Sequence, residues 1–386
     1  MFIGIEAERA NNRVKTGVEH YAQQLILQFA ELDKENEYIL YLRTQPEYWF
    51  LSLPKNFKIK VLGYGFIPFS YLWTQLRVSW EMLIAAPDVL FIPAASLPLI
   101  HPKRSYVTVH DVAWRLYPET FTTLKRWYLE FTTWFACKFA EKVIAVSEST
   151  KKDLVKYYHV PESKVAVIHH GFTPQGTTVS VIPAFEPESR LGEPGSRVKP
   201  GMTRVVVGNL PEKFVLFLST LQPRKNLEGL IAAFRMFKQK HPEDSHKLVV
   251  AGKVGWKAEG ILQEIERSKD VVLYLNHVTD AERAELYQKT SVLVMPSFYE
   301  GFGMWILEAF DAGVPVITSN VSSMPEVAGD AAEYCDPHSV ESIAQALEQV
   351  LLDKEKAAAL VEKGRERLKS FSWRKCAEDT LRRVKA

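Results

Sequence analysis

Two glutamates with seven residues between them, Glu300 and Glu308, are the first candidates for ligand binding in this sequence. A carboxylate accepts hydrogen bonds from two hydroxyl groups, which suits a ribose diol or a sugar ring. Gly301 and Gly303 follow the first glutamate, and glycine lets a backbone turn sharply and approach a ligand closely. An isolated pair of glutamates at this spacing is more simply a surface feature. When the pair of glutamates occurs together with the two glycines, the segment predicts a binding loop for an elongated polar ligand.

The elements that position these residues are predicted to be a strand, a loop and a helix. The apolar run at 292–296 is typical of a buried strand, and residues 304–312 are predicted to form a helix that ends at Gly313. Glu300 then lies in the loop and Glu308 in the second turn of the helix. Because free N–H groups and the positive end of the helix dipole meet at a helix N-terminus, this position suits a phosphate or a diphosphate.

The segment that begins at Glu300 and continues to Ser319 resembles the Glu-x7-Glu signature of the family 4 retaining glycosyltransferases. The resemblance implies the GT-B fold, an α/β architecture of two facing Rossmann-like domains with parallel sheets and a cleft between them. It assigns the donor sugar to Glu300 and the nucleotide ribose to Glu308. It assigns contacts with the sugar and the diphosphate to the intervening loop, at Gly301, Phe302 and Gly303.

Length and charge limit the classes of partner. A chain of 386 residues is long enough for two domains of ordinary size. With 48 basic and 46 acidic residues the net charge is +2, which does not indicate a nucleic-acid partner. Phosphate binding therefore has to rely on local groups.

Cysteine usage and hydropathy favour a cytoplasmic protein. Cys137, Cys335 and Cys376 are scattered without metal-binding or disulfide-framework spacing, as expected in a reducing compartment. No Asp-x-Asp motif occurs, so no metal and no cofactor are expected beyond the donor substrate. The start of the sequence is apolar too briefly for a signal peptide, and no apolar run reaches the length of a membrane span.

The first half of the sequence follows the β-α-β rhythm of a parallel sheet. Strands are predicted at 2–5 and 38–42, with a helix between them that begins at Gly17. Taken alone, Gly17 is a tight turn. The family carries a glycine-rich turn at the corresponding helix, and that resemblance makes Gly17 a candidate donor-binding residue.

A further strand at 106–109 places His110 at its carboxyl end, the edge where open α/β sheets bind ligands. A lone histidine is usually structural. The resemblance to the strand-end histidine of the family predicts a catalytic role for His110, in contact with the donor sugar. His169 and His170 close this half, and a domain-edge turn is favoured there over a metal site because no third ligand lies nearby.

The second half is predicted to begin with a strand at 214–218, after which Arg224 and Lys225 precede a helix at 227–239. Two cations oppose the dipole at a helix N-terminus, so they require another partner, and a diphosphate would supply it. Solvated surface cations are the alternative. By resemblance Lys225 matches the diphosphate lysine of the family and is counted among the catalytic residues. The family arginine five places earlier is Thr220 here, and Arg224 is inferred to compensate.

Several remaining expectations concern segments rather than single side chains. The turn at 276–278 offers its backbone to the nucleotide base in the family, so Val278 is a donor-binding candidate. Long helices are predicted at 118–142 and 339–369. Most aromatic side chains between residues 44 and 105 are expected in the core. The uncharged loop at 65–73 is a weaker candidate for contact with a membrane surface or a lipid-linked acceptor.

The predicted organisation has four parts. Residues 1–172 form an acceptor-side Rossmann-like domain and residues 211–371 a nucleotide-sugar-binding one. Residues 173–210, rich in Pro, Gly, Ser and Arg, form a flexible linker or insertion. Residues 372–386 form a last helix that returns to the first domain.

The predicted function is that of a retaining, metal-independent hexosyltransferase in cell-surface polysaccharide synthesis, such as lipopolysaccharide. The expected donor is GDP-mannose and the acceptor a glycan or lipid-linked glycan, in the cytoplasm or at the inner face of the membrane. The alternatives are a UDP-sugar donor (glucose or N-acetylglucosamine), or a nucleotide-sugar-binding protein without transfer activity. An epimerase or a glycan phosphorylase would share the fold. A nicotinamide oxidoreductase is disfavoured because no Gly-x-Gly-x-x-Gly follows a strand.

Overall fold

A computed structural model describes residues 1–13, 15, 17–64, 72–174 and 210–385 of the protein. Two parallel sheets, each flanked by helices, organise these residues, as the sequence predicts. The predicted linker at 173–210 lies outside the described residues except at its two ends. The loop at 65–73 likewise lies outside them except for Leu72 and Trp73.

The first sheet has seven strands in the order β3-β2-β1-β4-β5-β6-β7. Its strands are β1 (Phe2–Glu6), β2 (Glu37–Leu42), β3 (Phe57–Val61), β4 (Val89–Ile92), β5 (Ser105–Val109), β6 (Lys142–Ala145) and β7 (Val165–Val167). The α-helices of this half are α1 (Gly17–Leu32), α2 (Ser79–Ala85), α3 (Ala113–Leu116), α4 (Thr123–Phe139) and α5 (Glu148–Tyr158). All pairs of neighbouring strands are parallel, so their carboxyl ends share one edge.

The second sheet has six strands in the order β10-β9-β8-β11-β12-β13. Its strands are β8 (Phe214–Leu218), β9 (Lys247–Ala251), β10 (Val272–Asn276), β11 (Val292–Met295), β12 (Val316–Ser319) and β13 (Glu333–Cys335). Its helices are α6 (Leu227–Lys240), α7 (Glu259–Arg267), α8 (Asp280–Lys289), α9 (Met304–Asp311), α10 (Met324–Ala328), α11 (Val340–Leu351) and α12 (Lys354–Leu368). The central strands are apolar throughout because helices cover both faces of the sheet.

The last helix, α13 (Trp373–Lys385), leaves the second half of the chain and packs on α1. The ring of Trp373 lies 5.5 Å from that of His20, measured between centroids. A Cβ at Gly171 would come within 2.1 Å of the Trp373 nitrogen, so the backbone before the linker touches the start of this helix. The two halves are therefore joined by packing as well as by the chain.

The structure corrects the bounds of two predicted helical segments and shows exceptions to a third expectation. The segment at 118–142 begins with a single 3-10 turn, and its helix runs only from Thr123 to Phe139. The helix predicted at 339–369 is two helices, because the Asp353 side chain accepts a hydrogen bond from the Lys356 N–H and caps a new helix there. Several aromatic residues between 44 and 105 are exposed rather than in the core: Tyr48, Tyr64 and Trp80.

Candidate active site

The loop between β11 and α9 lies at the carboxyl edge of the second sheet. Ser319 Oγ donates to the Ser297 carbonyl at 2.7 Å, and Ser322 Oγ donates to the Glu300 carbonyl at 2.7 Å. Ser323 Oγ donates to the same carbonyl at 2.9 Å. Gly303 has φ 101°, which allows the turn into α9. The serines at the end of β12 and just after it thus hold the loop from one side.

The Glu300 carboxylate is buried among three donors. Lys225 donates to Oε1, Ser297 Oγ donates to Oε1 at 2.9 Å, and Arg224 donates to Oε2 at 3.1 Å. Burial alone would raise the pKa of Glu300, but the charges of Lys225 and Arg224 outweigh it and lower the pKa to about 2. Glu300 is therefore an ionised acceptor at neutral pH.

Arg224 and Lys225 form a 3-10 turn before α6, rather than the first turn of the helix itself. Lys225 is only 7% exposed, so the alternative of a solvated surface cation is wrong for it. Burial, and then the charge of Arg224, lower the pKa of Lys225 to about 8. The Arg224 guanidinium also donates to the Tyr299 carbonyl at 2.9 Å. Both cations thus lie at the base of the loop that carries Glu300.

The loop contacts the first half of the chain at Gly301. A Cβ at this position would lie 2.0 Å from the His110 carbonyl oxygen, so only glycine fits. Ser147 Oγ donates to the Gly301 carbonyl at 2.8 Å, and Thr150 Oγ1 does so at 3.3 Å. The candidate site therefore lies where the carboxyl edges of the two sheets face each other.

His110 follows β5, as predicted. Its Nε2 donates to the Pro93 carbonyl at 2.9 Å, which leaves Nδ1 as the acceptor nitrogen, buried and without a hydrogen-bond partner among the described residues. Burial lowers the pKa of His110, so the ring is neutral at pH 7. A neutral Nδ1 suits a ligand hydroxyl group as its donor.

The ring of Phe302 is packed in the core beside the site. The ring is 5% exposed and stacks on His170 at 4.9 Å between centroids. His170 in turn stacks on Tyr21 of α1 at 4.8 Å. His169 contacts Glu326 of α10, with Nε2 and Oε1 2.6 Å apart, which agrees with a domain-edge turn.

Glu308 lies apart from the Glu300 cluster, on α9. Arg283 donates to its Oε1 at 3.3 Å and the Tyr287 hydroxyl to its Oε2 at 3.0 Å. Its side chain is partly exposed. Helix α8 thus orients the carboxylate while leaving it reachable.

The remaining predicted site residues are less enclosed. Val278 is half-buried in the turn after β10. Gly17 begins α1, and a Cβ there would meet no described atom within 4 Å. Valine has no polar side-chain atom and glycine has no side chain, so neither residue forms a side-chain hydrogen bond to the Glu300 cluster.

A cavity of about 250 Å³ lies at the carboxyl end of β1, in the first domain. Glu6, Glu8, Arg9, Asn12 and Arg43 are among its lining residues. Burial raises the pKa of Glu6 to about 7. This polar cavity suits a ligand with many hydroxyl groups.

Sequence reasoning missed several of these groups. Glu6 directly follows the first predicted strand and is the last residue of β1, and this position at a strand end was the available signal. Tyr299 precedes Glu300, and its hydroxyl donates to Asp153 of α5 at 2.9 Å, across the two halves. No local pattern indicates such a partner.

Within the described ranges, no three His, Cys, Asp or Glu side chains are arranged to hold a metal ion.

Comparisons with known proteins match both halves of the chain. A family model described as Glycosyltransferase Family 4 matches residues 16–175, and one described as Glycosyl transferases group 1 matches residues 204–367. The chain is 28% identical to O-antigen chain mannosyltransferase B of Escherichia coli over 285 residues, or 73% of this chain and 70% of that protein.

Two solved structures share the fold. WaaG, a glycosyltransferase involved in lipopolysaccharide biosynthesis, superposes with a TM-score of 0.67 at 15% identity, over 98% of both chains. HepE of Anabaena, in complex with UDP and glucose, superposes with a TM-score of 0.66 at 16% identity, over 100% of this chain and 99% of that one. The two-domain architecture predicted from the sequence is confirmed.

Proposed function

Because this chain belongs to the family 4 glycosyltransferases of the GT-B fold, we propose that it transfers mannose from GDP-mannose to a glycan or lipid-linked glycan. The observation that carries the proposal is the buried cluster of Glu300, Lys225 and Arg224, joined to His110 through Gly301. The cluster presents one anion and two cations where the edges of two sheets meet. An activated sugar phosphate has hydroxyl groups and a diphosphate that match these charges.

Each side chain has a proposed role. Lys225 and Arg224 bind the diphosphate and stabilise the negative charge that develops on it as the leaving group departs. Glu300 and the Nδ1 of His110 accept hydrogen bonds from the hydroxyl groups of the sugar. Glu308 accepts hydrogen bonds from the ribose, and the backbone at Gly17, Val278 and 301–303 completes the donor site.

The reaction we propose proceeds on one face of the sugar. The bond between the anomeric carbon and the diphosphate oxygen breaks, and the acceptor hydroxyl oxygen forms a new bond to that carbon. The proton of the acceptor moves to the departing phosphate oxygen. Glu300 is ionised and engaged by Lys225, Arg224 and Ser297, so its role is to hold the donor, without a covalent enzyme intermediate. Retention of configuration follows from attack on the face that the leaving group vacates.

No metal or cofactor is needed in this scheme, because the two cations and the loop N–H groups provide the positive charge. The choice of mannose rests on the E. coli relative, whose name specifies a mannosyltransferase for O-antigen chains. A UDP-sugar is the second candidate, since HepE was solved with UDP and glucose.

The acceptor is proposed to bind the cavity lined by Glu6 and Arg43. Its product would be a cell-surface polysaccharide, made in the cytoplasm with peripheral contact at the inner face of the membrane. Within the described residues, no helix is both long and apolar enough to cross a bilayer.

Thermal shift with GDP-mannose, UDP-glucose, UDP-N-acetylglucosamine and ADP-glucose tests the proposal, since a ligand of the folded form raises the melting temperature. We expect the largest shift with GDP-mannose, and a UDP-sugar as the best ligand would favour the second candidate. Product analysis then separates transfer from epimerisation, phosphorolysis and binding alone. A shift with NADH and none with any nucleotide sugar would overturn the proposal.

A further inference from the structure

Helix α4 has an inverted distribution of side chains. Its buried residues are small or weakly polar, whereas most of its large apolar residues are exposed and only Leu129 and Phe135 among them pack partly against the core. Leu124, Trp127, Phe131 and Trp134 are 75, 68, 47 and 43% exposed. Their spacing of three, four and three residues places them in one stripe along the helix. An apolar stripe of this size on the outside of a domain indicates an interaction surface.

The segment that leads into α2 carries a second stripe. Leu76, Trp80, Leu83 and Ile84 are all exposed, at i, i+4, i+7 and i+8. This is again the spacing of one helix face.

The two stripes belong to one continuous surface. The Tyr128 hydroxyl of α4 donates to Gln75 Oε1 at 3.0 Å, which brings the two segments side by side. The turn at 99–101 bridges them, because its Ile100 N–H donates to Ser79 Oγ at 3.1 Å and its His101 ring lies 6.2 Å from that of Phe135. We call the outward side of residues 76–84, 99–101 and 124–139 the aromatic face.

The aromatic face is also basic. The aromatic face contains four basic and two acidic side chains, and Lys103 and Arg104 closely follow its middle segment. With these two residues the net charge is +4, against +2 for the whole chain. Both acids are paired, Glu81 with Arg77 at 3.4 Å and Glu130 with Arg115 at 3.1 Å. Lys138 lies over the Trp134 ring, 5.0 Å from its centroid. Exposed tryptophans beside lysines and arginines that outnumber the acidic residues suit binding to an anionic lipid surface. In such a surface indole rings lie at the level of the headgroups, and the cations interact with the lipid phosphates.

We propose that the aromatic face docks this protein on an anionic phospholipid bilayer. A second copy of the chain is a poorer occupant, because a two-fold contact would place like positive charges opposite each other. The proposed function includes contact with a membrane, and the aromatic face is the surface that would make it. The biological role of this docking rests on the proposed function, whereas the surface itself is identified from the exposed residues alone.

The position of the aromatic face also fits a lipid-linked acceptor. Thr74 and Tyr128 line the cavity near Glu6, whereas Leu76 and Trp127, on the same two segments, point outward. The two segments therefore separate the cavity from the docked bilayer, and a lipid-linked glycan has a short route from one to the other.

Co-sedimentation with vesicles tests the proposal. The full chain is mixed with vesicles of phosphatidylcholine, with and without about 30 mol% phosphatidylglycerol. We expect binding to the anionic vesicles, weakened by salt, and about tenfold weaker binding for the double variant Trp127→Ser/Trp134→Ser. Tyr48→Ser is the matched control, because Tyr48 is an exposed aromatic residue of the same domain outside the aromatic face, and its binding should match that of the wild type.

Three results would overturn the proposal: no binding of the wild type, equal binding of the double variant, or a wild-type dimer in light scattering that the double variant abolishes. Circular dichroism and the thermal shift with nucleotide sugars serve as independent readouts. An unchanged shift in the double variant shows that the fold and the donor site are intact. Failure of lipid docking is thereby distinguished from failure of the proposed function.

Discussion

The Lys225 ammonium and the Glu300 carboxylate are in direct contact, 75 residues apart in sequence and both nearly buried. Arg224 binds the second oxygen of the same carboxylate. A buried charge that loses its partner is costly, so these groups are coupled in stability.

Removal of one partner at a time should expose this coupling. We expect Lys225→Met or Glu300→Gln to lower the free energy of unfolding by roughly 2–4 kcal/mol, since the first removes one of the two cations that compensate the buried carboxylate and the second leaves both cations without it. The double variant should regain part of the loss seen in Glu300→Gln, because Arg224 is then the one member of the cluster left without its partner, instead of both cations. Transfer should fall at least about 100-fold in all three variants, since we propose that both groups act on the donor. Urea unfolding and turnover assays measure the two effects separately. A stable, fully active single variant would refute the assignment.

The pH dependence of donor binding should report Lys225. Its pKa of about 8 means that it loses its charge in the free enzyme at a pH where an exposed lysine keeps it. Donor affinity should therefore be constant below that pH and fall about tenfold per pH unit above it. Calorimetric titrations at several pH values check this. Lys225→Arg should retain its affinity at high pH, and the same decline in that variant would exclude Lys225 as its source.

Substitution of Gly301 tests the contact between the two domains. Gly301→Ala places a Cβ 2.0 Å from the His110 carbonyl oxygen, so the loop must move away from the first domain. We expect a lower melting temperature and roughly 100-fold slower transfer, as for other displacements of a site by about 1 Å. Gly17→Ala is the control for stability, because a Cβ there meets no described atom within 4 Å. Equal melting temperatures of the two variants would contradict the close contact at Gly301.

Glu308 should affect donor binding rather than chemistry. A ribose contact is made equally in the ground state and the transition state, so Glu308→Gln should raise the donor KM about tenfold with kcat nearly unchanged. Glu285→Gln is the matched control, because Glu285 pairs with Lys289 on the surface of α8 and has no proposed role. A large fall in kcat for Glu308→Gln would place this residue at the reacting sugar instead.

Local patterns predict the strand–loop–helix unit around Glu300 and the positions of most parallel strands along the chain, because apolar runs and glycines mark these elements directly. The three-residue strand β13 and the break at Asp353 escape prediction, since both depend on a few short-range contacts. The pairing of Lys225 with Glu300 is a long-range contact with no periodic signal. The outward aromatic residues of α4 mislead a pattern-based prediction, because large apolar side chains normally mark the buried face.

Calorimetric titration of GDP-mannose and UDP-glucose into the wild type, Lys225→Met and Glu308→Gln tests the nucleotide-sugar site most directly. We predict saturable binding of one of these donors by the wild type, loss of most of that affinity in Lys225→Met and a weaker loss in Glu308→Gln. Absence of binding of either donor, or equal affinity in all three folded proteins, would contradict the assignment of this site.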